Sequence, residues 1–225
     1  MSRNKNLSSR NKYFIKRYFT SKRWTTYSEL IRCILEINPL NILEIGPGNG
    51  LVSDILKKIG YNVKTLDIDE SLCPDYNMDI RDMTFLNLKD EFDLVIASQI
   101  FEHIKYEEFL SVINRCSLFT KILIITLPHT NLNSYFFSID VNFPLLHQRN
   151  FKFGFKIYRK KVFHDLSTWR YDIDNRHYWV IGKKGYPLKK IKKDIVKNGW
   201  LIQDNFFNLK NPKHYFFILR SKNQP

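Results

Sequence analysis

The chain has 225 residues, is 44% hydrophobic and 15% aromatic, and carries a formal net charge of +14. This length and composition exclude a disordered, collagen-like or low-complexity protein and suit one large domain. The longest aliphatic run, Ile122 to Leu127, is far short of the roughly 20 residues a membrane helix needs; no apolar signal segment opens the chain, and Cys33, Cys73 and Cys116 form no paired motif, so a reducing, cytoplasmic setting is expected.

Charge is unevenly placed. Residues 1–24 hold eight basic groups and no acidic ones, residues 41–110 hold six basic and fourteen acidic, and residues 148–225 hold nineteen basic and five acidic. Basic flanks of this kind can steer an anionic partner such as nucleic acid or a phosphorylated sugar. Plain solubility explains them equally simply and is preferred.

Residues 1–24 read as a basic N-terminal arm ahead of one domain spanning 25–225. Within the arm, Tyr13, Phe14, Tyr18 and Phe19 could line one face of a short helix that docks on its own domain. Tyr27, Leu30, Ile31, Ile34 and Leu35 recur at helical spacing. Asn41–Ile45 is a short apolar run ending at glycines and predicts a buried strand. Leu51, Val52, Ile55, Leu56 and Ile59 predict a helix stopped by Gly60. Val63–Leu66 and Phe92–Ala97 predict two more strands, Tyr106–Cys116 a helix, and Ile122–Leu127 a strand stopped by Pro128. Strands alternating with helices imply an α/β fold with a parallel sheet and helices on both faces. From about 129 to 185 the pattern breaks into an aromatic-rich stretch without a clean period, the expected lid insertion. Leu188–Asn198 then predicts a helix capped by Gly199. Leu201–Phe207 and His214–Leu219 predict an antiparallel strand pair turning at Asn211-Pro212.

The strongest chemical signal is Glu44-Ile45-Gly46-Pro47-Gly48-Asn49-Gly50, between a strand and a helix. Glycines there let the backbone turn sharply and approach a ligand, and the carboxyl end of a parallel strand is where open α/β sheets bind cofactors. The dinucleotide spacing G-x-G-x-x-G is not met, because Leu51 stands three after Gly48. No P-loop Lys-Ser/Thr follows, which disfavours nucleoside triphosphate hydrolysis. Asp67 ends the second strand 21 residues after Gly46, where a carboxylate can accept from ribose hydroxyls. The bland alternative is a glycine-rich turn beside a solvated Asp.

Together with Thr65-Leu66-Asp67, Met78-Asp79-Ile80 and the run Phe92–Ile104, this loop resembles the successive motifs of class I S-adenosylmethionine-dependent methyltransferases, in particular the broad methyltransferase type 11 group. The resemblance covers residues 25–127, and 188–220 suits the family's antiparallel end. It implies a Rossmann-like seven-stranded mixed sheet in the order 3-2-1-4-5-7-6 and S-adenosyl-L-methionine as cofactor. It also implies that Glu44, Gly46, Gly48 and Gly50 line the methionine and ribose part, and that Asp67, with Ile68 beside it, holds the ribose. Asp79 would meet the adenine amino group with Ile80 against the ring, and Ser98 and Gln99 would lie near the methionine.

Methyl transfer asks the protein mainly for orientation, since the cofactor carries the electrophile. A hydroxyl acceptor would gain from a general base, for which His129 and His103 are the candidates. Helix capping or packing would account for His103 and a loop hydrogen bond for His129. His177, beside Tyr178 and Trp179, is expected to anchor the lid. The fourth family strand ends in Ser98-Gln99-Ile100-Phe101 rather than Asn/Asp-Pro-Pro-Tyr, which disfavours amino methylation of DNA adenine. Asp67, Asp69 and Glu70 form an acidic cluster, but ribose binding and solvation explain it, and no metal is expected. The resulting expectation is a methyltransferase acting on an oxygen or nitrogen of a small molecule or saccharide. The alternatives are an RNA methyltransferase using the basic flanks and a non-catalytic binding protein on the same fold.

Overall fold

The computed structural model describes residues 18–82, 92–118, 120–130, 134–142, 150–158 and 177–223, with 134–142 and 150–158 described by their backbone. The first helix, α1 (Ser21–Ile37), begins at Thr20, whose hydroxyl accepts from the Arg23 amide, and ends at Asn38 in the left-handed region. Its buried residues, Thr26, Leu30, Cys33 and Ile34, fall on one face at the 3.6-residue period. Strands β1 (Asn41–Ile45), β2 (Asn62–Asp67), β3 (Tyr76–Asn77), β4 (Phe92–Ser98) and β5 (Thr120–Pro128) follow, with α2 (Leu51–Lys58) and α3 (Tyr106–Cys116) between them. The chain closes through α4 (Leu188–Lys197), β8 (Trp200–Asn208) and β9 (Asn211–Ser221), after the insertion strands β6 (Ser134–Asn142) and β7 (Asn150–Tyr158).

The main sheet runs β3-β2-β1-β4-β5-β9-β8. Its first five strands are parallel, and β9 lies antiparallel between β5 and β8. With the two insertion strands set aside, this is the expected seven-stranded order. Side chains on successive strand positions go to opposite faces, and the core divides accordingly. Ile42, Leu94, Ile96 and Ile124 pack with Leu30, Ile34, Val52 and Leu56 of α1 and α2. Leu43, Ile45, Val95, Ala97, Leu123 and Ile125 pack with Phe109, Ile113, Ile191 and Ile195 of α3 and α4. The two apolar layers leave β1, β4 and β5 covered on both faces, which is why these strands read as continuous apolar runs.

Four expectations need correction. Helix α1 starts at Ser21 and so crosses the arm boundary placed at residue 24; residues 1–17 of that arm, with Tyr13 and Phe14, lie outside the described residues. The insertion contains a regular element, because β6 and β7 pair antiparallel over nine residues, from Ser134 opposite Tyr158 to Asn142 opposite Asn150. Its far end belongs to the domain core. Trp179, Val180 and Ile181 are buried, and the Trp179 indole N–H donates to the carbonyls of Phe101 and Ile104 at 3.1 and 3.2 Å. The β8–β9 turn falls at 209–210, not at Asn211-Pro212. Asn208 Oδ1 accepts from the amides of Lys210 and Asn211, an Asx turn that closes the hairpin earlier. The β8 register then jumps from Phe207 opposite Tyr215 to Asn208 opposite Asn211. Pro212 therefore sits in a bulge, where its missing N–H costs no ladder bond.

Candidate active site

The carboxyl ends of β1, β2, β4 and β5 meet at one edge of the sheet, where open α/β folds hold their ligands. The loop after β1 is built from glycines at φ +67° (Gly46), +58° (Gly48) and +71° (Gly50). L side chains resist this left-handed region. A Cβ on Gly46 would also stand 2.0 Å from Cδ1 of Ile100, so the loop after β4 closes over the loop after β1 only because position 46 has no side chain. The Gly46 amide donates to the Leu66 carbonyl and the Gly50 amide to that of Pro47, holding the turn from which α2 starts.

Glu44 stands on β1 directly before this loop. It is 4% exposed and accepts a hydrogen bond from Ser53 of α2, bracing the strand against the helix. Burial pushes its carboxyl up to about 7, against the opposing pull of the Ser53 hydroxyl and amide. Asp67 ends β2, nearly buried, and accepts the Asp69 amide at 2.9 Å. Beside it Ile68 is 66% exposed, a large apolar side chain at the mouth of the crevice. Asp69 caps the short turn Glu70–Leu72 by accepting from the Ser71 amide, so the acidic cluster is engaged in local turn geometry.

Asp79 is held by Arg81, whose guanidinium and amide both donate to it. These bonds keep its carboxyl below the usual carboxylate range. Ile80 is buried and packs in the core with Leu66 and Phe92. Ser98 and Gln99 converge on one residue of β5, Thr126. The Ser98 and Thr126 hydroxyls are 2.8 Å apart, the Gln99 side-chain amide donates to the Thr126 hydroxyl at 3.3 Å, and its backbone N–H donates to the Thr126 carbonyl. Gln99 is itself at φ +59°, a conformation that non-glycine residues hold only when their surroundings fix it.

Two further contributors lay outside the expected set. Thr126 was discernible as a hydroxyl inside an otherwise aliphatic run. Tyr27 of α1 lies beside Asn49 of the glycine loop, and burial raises its hydroxyl pKa against the field of Arg23. Nothing in the local sequence marks Tyr27 as more than a helix-face residue.

The candidate bases are placed differently. His129 is 8% exposed, its ring edge-on to Phe207 at 4.8 Å and 5.9 Å from Tyr215, and its amide donates to the Lys213 carbonyl at 2.7 Å. His103 is exposed, on the short turn Phe101–His103 after β4. Its ring centroid is 4.9 Å from that of His177. The far end of the insertion delivers His177 there, with the Tyr178 amide donating to the Glu102 carbonyl at 2.8 Å.

This architecture is widely shared among solved structures. A methyltransferase from Archaeoglobus fulgidus described as SAM-dependent matches with TM-score 0.61 at 16% identity, covering 92% of this chain and 98% of that one. The N-methyltransferase NodS from Bradyrhizobium japonicum WM9, in complex with S-adenosyl-l-homocysteine, matches with TM-score 0.58 at 10% identity, covering 90% and 88%. Magnesium protoporphyrin IX methyltransferase from Synechocystis PCC 6803 matches with TM-score 0.56 at 14% identity, covering 89% and 84%. Such low identities establish the fold alone. No curated protein matches by sequence. A family model described as a methyltransferase domain matches residues 19–184, which take in the glycine loop, Asp67, the β4 end and the stem of the insertion. By that match, spanning well over half of its length, the chain belongs to the methyltransferase domain family.

Proposed function

We propose that the protein transfers a methyl group from S-adenosyl-L-methionine to an oxygen or nitrogen of a small-molecule or saccharide acceptor. The observation that carries the reading is the cradle itself. Three loop glycines at positive φ stand at the end of β1, with the nearly buried carboxylate of Asp67 at the end of the neighbouring β2. Such a cradle fits a nucleoside-bearing cofactor, because backbone rather than side chains meets the ligand and a carboxylate stands where vicinal hydroxyls need an acceptor.

When bound, the cofactor supplies an electrophilic methyl on a sulfonium. The chain's own residues bind and orient. Gly46, Gly48 and Gly50 admit the methionine end, Asp67 accepts from the ribose, and exposed Ile68 covers the adenine. Asp79 has acceptor capacity beyond its Arg81 bonds, since a carboxylate offers about four lone-pair sites. Ile80 supports that side from the core. Ser98 and Gln99, pinned by Thr126, border the methionine. Deprotonation of a hydroxyl acceptor belongs to the His103 side of the crevice, since the His129 ring is enclosed by aromatics. The three free cysteines, with Cys73 exposed, support a reducing, cytoplasmic setting.

Calorimetric titration with S-adenosylmethionine and S-adenosylhomocysteine tests the reading. Micromolar binding is expected for the wild type. Asp67→Ala should weaken it at least about tenfold, since a hydrogen bond to a charged group is worth about 1.5–3 kcal/mol. Absence of binding by the wild-type protein would overturn the proposal.

A further inference from the structure

Outside the cradle, one cluster of chemically capable side chains stands out. Glu102, His103 and His177 each present a ligating atom, and these atoms all lie within 4.8 Å of one another. Glu102 is 1% exposed, and among the described residues its Oε2 has no hydrogen-bond partner. A buried carboxylate oxygen without a partner is costly. It persists where something else satisfies it. The two imidazoles beside it, one exposed and one half-buried, are the usual companions of a carboxylate around a borderline transition ion.

We infer that Glu102, His103 and His177 form a binding site for a divalent first-row transition ion of the zinc class. Two histidines and one carboxylate make a three-ligand set that leaves a coordination position open. Tetrahedral ligation with bonds of about 2.0–2.1 Å puts ligand atoms roughly 3.3 Å apart. The present separations reach that by modest side-chain rotation, most easily at the exposed His103. The backbone is already set. Glu102 and His103 share the short turn after β4, and the bond from the Tyr178 amide to the Glu102 carbonyl brings the His177 segment alongside.

The position gives the ion two consequences. It ties the returning stem of the insertion to the β4 loop. Resting on the methyltransferase reading, it also sets an open coordination position at the acceptor side of the crevice. There an acceptor oxygen would be oriented and made easier to deprotonate. This favours an oxygen acceptor over a nitrogen one.

The test uses the full chain, freed of metal by a chelator and titrated with Co²⁺ and then Zn²⁺. One equivalent of Co²⁺ with the visible absorption of low-coordinate cobalt, displaced by Zn²⁺, is expected. His103→Ala, His177→Ala and the near-isosteric Glu102→Gln should each weaken Co²⁺ affinity at least about tenfold, as removal of even indirect metal supports costs 10–100-fold. S-adenosylhomocysteine binding, measured on the same samples, should survive in His103→Ala, whose side chain is exposed. That readout also reports folding and the cofactor reading separately from the metal. Wild-type protein that binds S-adenosylhomocysteine but no stoichiometric Co²⁺ overturns the inference, as does cobalt affinity unchanged in all three variants. Cobalt binding without any S-adenosylhomocysteine binding upholds the site and removes its link to methyl transfer.

Discussion

Glu44→Gln isolates the cost of a buried carboxyl beneath the glycine loop. Its pKa moves from an ordinary 4.5 to about 7 in the fold, chiefly through burial. At about 1.4 kcal/mol per pH unit, that interval amounts to about 3 kcal/mol. Between pH 4.5 and 7 the folded protein keeps a proton the unfolded chain has released. Stability from this group therefore falls as pH rises through the window, and the full cost is present above it. Glutamine keeps an oxygen to accept from Ser53 and carries no titrating proton. The measurement is urea unfolding of both proteins at several values from pH 4.5 to 8, plotted as variant minus wild type. Subtraction removes groups common to both, including His214, whose slope has the opposite sign. The variant should gain about 3 kcal/mol on the wild type across the series. A flat difference, or a gain growing toward acid, would refute the reasoning.

Gly46→Ala should lose S-adenosylhomocysteine binding by more than tenfold in calorimetry, because position 46 requires φ +67° and its new methyl would displace Ile100. Trp179→Phe removes the indole donor to the buried carbonyls of Phe101 and Ile104. A loss of about 1–3 kcal/mol is expected, seen as a drop of roughly 2–4 °C in Tm per kcal/mol. His214, whose Nδ1 lies 3.0 Å from the Thr26 hydroxyl, is pushed down to about 3 by burial and then by the fields of Arg23 and Lys213. Its folded pKa lies below the unfolded 6.5, so its contribution is lost as pH falls from 6.5 toward 3. His214→Asn should flatten that acid limb in the same denaturation series.

Elements whose structure follows from local pattern were legible in the sequence. Tyr106–Cys116 emerged with the expected bounds because Phe109, Val112, Ile113 and Cys116 mark one buried stripe. Strand β1 emerged with the expected bounds, β2, β4 and β5 were read slightly short, and the two-residue β3 was not read. Thr120 and Pro128 extend β5 through pairing with Phe92 and His214, contacts that local composition cannot report. The alternation Phe151-Lys152-Phe153-Gly154-Phe155-Lys156-Ile157 was a strand signal, masked by the density of aromatics around it. Trp179 belongs to the core although it stands within the irregular stretch, because its burial is decided by carbonyls at Phe101 and Ile104, far away in sequence. The cradle glycines and Asp67 were legible because loop and strand end each carry their own signature. The grouping of Glu102 and His103 with His177 was not, since it exists only after the insertion returns to the β4 loop.

The placement of β9 has a consequence for biosynthesis. Strand β5 pairs with β4 on one side and on the other with β9, which lies far downstream in the sequence. During synthesis the ribosome finishes β5 nearly a hundred residues before β9. At about 5–20 residues per second, the nascent protein holds an unpaired apolar edge for roughly 5–20 s. The first helix waits as well, because Thr26 shares hydrogen bonds with Asn208, Asn211 and His214. An open strand edge of this kind is a template for unwanted pairing. The nascent chain is therefore most exposed to aggregation, and to capture by chaperones, in the interval before β9 is made.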